Sequence, residues 1–236
     1  MSGRRFSGTL AAKFNPFEED YLCEILEATA HAWSRMKHPD ANEIEDRITF
    51  RVAGRLANDP KFAELPYDVA AQHWLVGLDG QRLGRLDLRF QHRQSKRDYF
   101  AFEAKRLHVT YPSGRSTEYP TYVGADGMMA FVAGQYSTGL SAGGMLGYVM
   151  DDKVDKAWTG LEARIDSQRT PLKLVGRSKF VRSVLSNAIA KGMEGTLLGE
   201  TKHGLRTHEL RLFHLLLPVR YGYAGRGSGR GRRRRR

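Results

Sequence analysis

The sequence predicts an α/β protein with a mixed central sheet flanked by helices. Three observations carry this reading. Two long segments near the start have apolar residues at three- and four-residue spacing. Three short runs rich in aromatic and β-branched residues follow them. Helix-like and strand-like stretches then alternate towards the C-terminus, with no internal repeat and no linker before residue 221. One domain over residues 1–221 is therefore expected, followed by a tail over 222–236.

The first segment, "NPFEEDYLCEILEATAHAWSRM", begins like a helix. Asn15 suits the N-cap, Pro16 the first turn, and Glu18 and Glu19 the positive helix end. Phe17, Tyr21, Ile25, Thr29, Trp33 and Met36 form one apolar stripe, and "KHPDAN" breaks it. A second helix, "NEIEDRITFRVAGRLAND", places Ile44, Ile48, Val52 and Leu56 on one face and stops near Asp59-Pro60. Strands are expected around 71–78, 83–90 and 97–107. "YPSGRSTEYPTYVGADG" reads as a long loop, "GMMAFVAGQY" as a short helix and "GGMLGYVM" as a buried strand. "DKVDKAWTGLEARI" is helical again, and "THELRLFHLLLPVRY" is the final strand. Between them, "RSKFVRSVLSNAIAKG" reads as an amphipathic helix with Phe180, Val181, Val184, Leu185 and Ile189 inward. It would lay Arg177, Lys179, Arg182 and Lys191 along phosphates, or serve as an ordinary surface helix.

Composition narrows the function. A chain of 236 residues, 41% hydrophobic and 27% charged, can bury a sizeable core. Its single cysteine, Cys23, forms no internal disulfide and has no nucleophile setting, so a reducing, cytoplasmic location is expected. The N-terminus lacks the apolar stretch of a signal peptide, and no apolar run has bilayer-spanning length. The net charge is +12, and seven arginines fall after residue 221, leaving +5 for the rest. The Arg/Gly-rich tail, ending in Arg232, Arg233, Arg234, Arg235 and Arg236, is expected to be disordered and to contact nucleic-acid phosphates. It would otherwise be a solubilising or targeting tail. No lipid anchor accompanies it, so no membrane partner is expected.

Within the apolar run "YFAFEAKRL", Glu103 and Lys105 are two positions apart and so share one face of a strand. The run "LDLRF" before it is joined to it by "QHRQSKRD", which suits a hairpin. Folding about Ser95 sets Phe90 opposite Phe100, Leu88 opposite Phe102 and Leu86 opposite Ala104 on the core side. Asp87 then faces Glu103, and Arg85 faces Lys105. A one-residue slip would send every side chain to the other face. Two facing acids ~5 Å apart repel by roughly 3 kcal/mol at an effective dielectric near 20. A divalent cation between them converts that cost into affinity. Mg²⁺ takes a few carboxylates together with waters and phosphate oxygens. Lys105 beside it would hold or deprotonate a water and offset charge developing on phosphorus. The competing reading is a solvent-facing hairpin whose acids are paired by Arg85, Arg89 and Arg106.

Asp87 in "GRLDLRF", followed by Glu103-Ala104-Lys105, resembles the PD-(D/E)xK nuclease superfamily over about residues 40–150. Leu86 stands where the motif nominally has Pro. The resemblance implies a restriction-endonuclease-like αβββαβ core and a metal-dependent endonuclease. Asp87 and Glu103 would bind Mg²⁺ (or Mn²⁺), with the Ala104 carbonyl and Glu45 from the preceding helix. Residue-level alternatives for Glu45 are a capping box of Asn42 with Glu45, or of Asp40 with Glu43. The resemblance also implies that Gln135 orients phosphate or water. It implies DNA as the favoured substrate, with RNA open, and a phage-defence role as a homodimer or within a larger defence complex. The alternative is a non-catalytic nucleic-acid-binding or adaptor protein on the same fold.

Other chemistries find less support. Eight scattered histidines and one cysteine give no zinc pattern. His208 and His214 alternate with leucines and read as ordinary strand residues. Gly143, Gly144 and Gly147 read as turn and close-packing positions, and no Gly-Lys-Ser/Thr follows to make a phosphate-binding loop.

Overall fold

The computed structural model describes residues 19–76, 79–94, 99–136, 140–176, 179–189 and 195–220. Helix α1 (Glu19–Ser34) buries Ile25, Thr29 and Trp33, the middle of the expected stripe. Asn15, Pro16 and Phe17 lie outside the described residues. Helix α2 (Glu45–Ala57) buries Ile48, Val52 and Leu56. Ile44, expected beside them, is instead the N-cap residue and is 60% exposed. Its extended backbone takes it out of the helical spacing. Pro60 does not only end a helix: it opens a short one, α3 (Pro60–Glu64), capped by the Asp59 side chain.

Strands β1 (Tyr67–Val76), β2 (Arg82–His92) and β3 (Tyr99–Leu107) form an antiparallel meander. The expected long loop contains a small hairpin, β4 (Val109–Tyr111) and β5 (Gly114–Ser116), and helix α4 (Tyr119–Val123). Helix α5 (Met128–Val132) leads into β6 (Ala142–Val149), and α6 (Val154–Ser167) follows. The expected basic helix does not form. Its place is taken by β7 (Val181–Arg182) and a single turn, α7 (Ser186–Ile189). Phe180 and Ile189 are buried, but Val181 and Val184 are exposed. Strands β8 (Leu197–Gly204) and β9 (Glu209–Pro218) complete a seven-stranded sheet in the order β1-β2-β3-β6-β9-β8-β7. The pairs β3–β6 and β6–β9 are parallel and the rest antiparallel, so the sheet is mixed. Among the described residues no helix is long and apolar enough to cross a membrane.

Both faces of the sheet are covered. Side chains alternate between faces along a strand, and they sort into two apolar clusters. Phe90, Phe100 and Phe102 pack with Trp33, Ile48 and Val52 from α1 and α2. Ala101, Met145 and Leu216 pack with Tyr122, Phe131 and Leu161 from α4, α5 and α6. The close-packing reading of the β6 glycines holds and the turn reading does not. A Cβ on Gly144 would sit 2.3 Å from the Phe102 ring, and one on Gly143 would sit 2.7 Å from the Phe131 ring.

A buried polar chain crosses the second cluster. Leu172 O can only accept, so His203 Nδ1 donates to it at 2.7 Å. His203 Nε2 must then accept from Thr201 Oγ1 at 2.8 Å, and Thr201 Oγ1 accepts from His214 Nε2 at 2.9 Å. His214 Nδ1 is left to accept from the Tyr122 hydroxyl at 3.0 Å. Every proton is assigned with both rings neutral. Burial accordingly lowers His203 to about 4 and His214 to about 3.

Candidate functional site

The hairpin register agrees with expectation where the strands pair: Leu88 lies opposite Phe102 and Phe90 opposite Phe100. Pairing between β2 and β3 then ends before Asp87. Instead of facing Glu103 across a ladder, Asp87 accepts the main-chain N–H of Ala104 through Oδ2 at 2.8 Å. A side chain thus replaces a main-chain partner and the two strands diverge. Leu86, expected beside Leu88 on the first face, joins the second apolar cluster.

The divergence leaves room for Lys105. Its Nζ donates to Glu103 Oε1 at 2.7 Å, to Ala104 O at 2.8 Å and to Glu45 Oε1 at 3.3 Å. Glu45 arrives from the first turn of α2, and its other oxygen accepts from Arg106 N at 2.8 Å. Glu45 is therefore occupied by β3 rather than by a box with Asn42, and the N-cap of α2 has no side-chain cap. Glu43 is taken by Arg51 at 2.7 Å, and one of its oxygens reaches Asp40 N at 3.4 Å.

Asp87, Glu103 and Lys105 are each less than a tenth exposed. The solvent-facing hairpin is thereby overturned, and its three arginines are engaged elsewhere. Arg85 pairs with Asp46 at 3.3 Å, Arg89 meets His73, and Arg106 donates to Glu43 O.

Burial, and then the charge of Asp87, push the Glu103 carboxyl well above the usual carboxylate range. Burial raises Glu45 as well, against the pull of Lys105. Burial alone would lower Lys105, but Glu103, Glu45 and Asp87 outweigh it and hold the ammonium form. Lys105 is thus suited to donating hydrogen bonds and offsetting charge, not to taking a proton from water.

An open cleft of about 480 Å³ reaches this cluster, lined in part by Glu45, Asp46, Lys105, Arg106, Glu118 and Asp126. Four of these six side chains are acidic, so the bare cleft repels a phosphodiester. Among the described residues no three His, Cys, Asp or Glu side chains converge on one point that could hold a metal ion; Glu103 and Glu45 turn to Lys105, and Asp87 to Ala104 N and Gln72. The donor chemistry nevertheless suits a hard divalent cation. Glu103 and Glu45 meet one ammonium, and among the described residues Glu103 Oε2 is buried with no N–H or hydroxyl to bond, only the Asp87 carboxyl beside it. Holding an ion would require Lys105 to release at least one carboxylate.

Gln135 lies in the turn after α5, exposed, with its amide nitrogen against β2 at Gly84. Its neighbour Tyr136 is buried near Glu103 and Asp87. Burial first, and then those charges, raise its phenol to about 12. Lys179 and Arg182 are exposed near and on β7, the sheet edge away from β1. Arg177, Lys191 and Arg232 to Arg236 lie outside the described residues.

Two participants escaped the sequence reading. Gln72 on β1 has φ 54 and donates to Asp87 Oδ1 at 3.1 Å and to Asp46 Oδ1 at 3.4 Å. The only signal for it was a polar residue within "AAQHW". The second is a cluster beyond the end of β3. His108, with φ 57, bridges Asp151 and the Tyr119 hydroxyl at 2.6 Å each and ties the β4–β5 hairpin region to the segment after β6. Compared with models of known families, with curated proteins and with solved structures, the chain matches none.

Proposed function

We propose that the chain is a metal-dependent phosphodiester hydrolase on a restriction-endonuclease-like core, acting on DNA in preference to RNA. The observation that carries this reading is the convergence of Glu103, Glu45 and the Ala104 carbonyl on Lys105 Nζ, with Asp87 holding Ala104 from the neighbouring strand. Four buried or half-buried groups from three elements meet at the head of an open cleft, an arrangement that costs stability and so asks for a use.

Asp87, Glu103, Glu45 and the Ala104 carbonyl would hold Mg²⁺ or Mn²⁺, which supplies neutralisation of phosphate charge and a more acidic water. Lys105, kept protonated, donates to the non-bridging oxygens as negative charge builds on them. Glu45 borders the cleft and is the most exposed of the three carboxylates, which suits it to reach the metal from the cleft side, and the attacking water would give its proton to solvent. The water oxygen bonds to phosphorus, one ester P–O bond breaks, and the leaving oxygen is reprotonated from solvent. Gln135, beside the outer end of β2, would contact the backbone away from the scissile bond. Lys179, Arg182 and the C-terminal arginines would supply salt-sensitive phosphate contacts. A phage-defence role and a homodimer or larger assembly extend the same reading.

A second reading is favoured by the carboxylates' engagement with Lys105: a nucleic-acid-binding or adaptor protein that does no chemistry. Cleavage of plasmid and single-stranded DNA separates the two, run with Mg²⁺, Mn²⁺ or EDTA. Wild type should cut only with metal, and Lys105→Met and Glu103→Gln should each lose at least a hundredfold. DNA binding without cutting under every condition would favour the second reading. Equal cutting by all three proteins would remove the site assignment.

A further inference from the structure

Trp74 stands 46% exposed on β1, the edge strand of the sheet. The Arg82 guanidinium lies 4.5 Å from its ring centroid, and that of Arg85, directly across the ladder, lies 5.9 Å away. Arg85 is neutralised by Asp46 at 3.3 Å. Arg82 has no carboxylate or hydrogen-bond partner among the described residues, and neither has the Trp74 indole N–H. An uncompensated cation on an exposed indole is the combination that single-stranded nucleic acid uses. A base stacks on the ring while the arginine meets its phosphate.

The surroundings argue against another strand as the occupant. Gln72 has φ 54, and the β1–β2 register slips between Leu75 and Val76, so an irregularity lies on either side of Trp74. Such breaks twist an edge out of the geometry that strand addition needs. They also link the platform to the cleft. Gln72 donates to Asp87, and Asp46, which holds Arg85, lines the cleft with Lys105. In a duplex the base faces are covered by their neighbours; in an unpaired nucleotide they are free to stack.

We infer that Trp74, with Arg82 and Arg85, is a stacking site for an unpaired nucleotide, making single-stranded or frayed nucleic acid the substrate class. The word substrate rests on the hydrolase reading; the stacking itself does not. The test is equilibrium binding by fluorescence anisotropy in EDTA, using labelled oligo-dT of 15 nucleotides and a closed DNA hairpin. Wild type, Trp74→Ala, Trp74→Phe and Arg82→Gln are compared, each checked for an unchanged melting temperature. Wild type should bind oligo-dT at least tenfold tighter than the hairpin. Trp74→Ala should weaken oligo-dT at least fivefold and the hairpin less than twofold. Trp74→Phe should recover most of the loss, and Arg82→Gln should lower the salt dependence by about one phosphate contact. Equal weakening of both ligands, no weakening, no measurable binding, or a dimer that Trp74→Ala dissolves would each overturn the inference. Selective binding without metal-dependent cutting would sink the hydrolase and keep the stacking site. Cutting of intact duplex without selective binding would do the reverse.

Discussion

Acid should unfold this protein through the interior of its sheet, and His214→Gln isolates the effect. In the folded chain His214 is fully buried and neutral, accepting from Tyr122 and donating to Thr201. Its pKa falls from 6.5 to about 3. The folded value lies below the unfolded one, so the unfolded chain takes up the proton first as pH drops. The stability is complete above about pH 7 and is lost between 6.5 and 3. From pH 7.5 to 5, the unfolded state gains roughly 1.5 pKa units of protonation, or about 2 kcal/mol from this one residue. His203, lowered to about 4, adds a similar amount. Glu103 pulls the other way. Its raised pKa means that stability is regained as pH falls toward 4.5. The total slope of wild type is therefore less informative than its difference from the variant. Urea unfolding at pH 7.5, 6 and 5 should show His214→Gln less stable at pH 7.5 but losing about 2 kcal/mol less on acidification. Parallel pH dependences would refute the neutral, proton-ordered chain.

Two further changes probe the divergence at Asp87 and the packing beneath the site. Asp87→Ala should lower stability by about 1–3 kcal/mol, because the buried Ala104 N–H loses its acceptor, whereas Asp87→Asn, which keeps an amide oxygen, should lose less than half as much; thermal melts compare them, and equal losses would deny the structural role. Gly144→Ala should cost about 1–3 kcal/mol or more, since its methyl would press 2.3 Å from the Phe102 ring in a close-packed centre, and Phe102→Leu should partly rescue it.

The legible parts of this fold were those whose side chains meet their own kind. Phe90 with Phe100 and Leu88 with Phe102 announced the hairpin register, because one apolar face leaves one pairing that buries them all. The same rule failed one residue later. Asp87 leaves the ladder to hold Ala104 N, and pattern matching assumes that main chain pairs with main chain. Glu103 and Lys105 were visible as charges in an apolar run, and Glu45 only through the family resemblance. Gln72 was hidden because a non-glycine residue with φ 54 breaks the alternation on which strand reading depends. Strand β8 was lost in a stretch that reads as polar and basic. Thr201 and His203 are buried there by satisfying one another and His214, which no hydropathy pattern records. The basic helix failed because Val181 and Val184 belong to an edge strand and its turn, not to one helical face.

The bond from Asp87 to Ala104 ties chemistry to architecture in a way that shapes how such a chain can drift. On the hydrolase reading, Lys105 and Glu103 would serve the chemistry at a cost to the fold, so a lineage released from cutting would gain by replacing them. Asp87 would do both jobs, and its loss would unzip the place where β2 leaves β3. Descendants that have fallen silent should therefore keep an acid or amide at this position long after the lysine has gone. An intact Asp87 is consequently weak testimony for activity, and the side chain at 105 is the one to inspect.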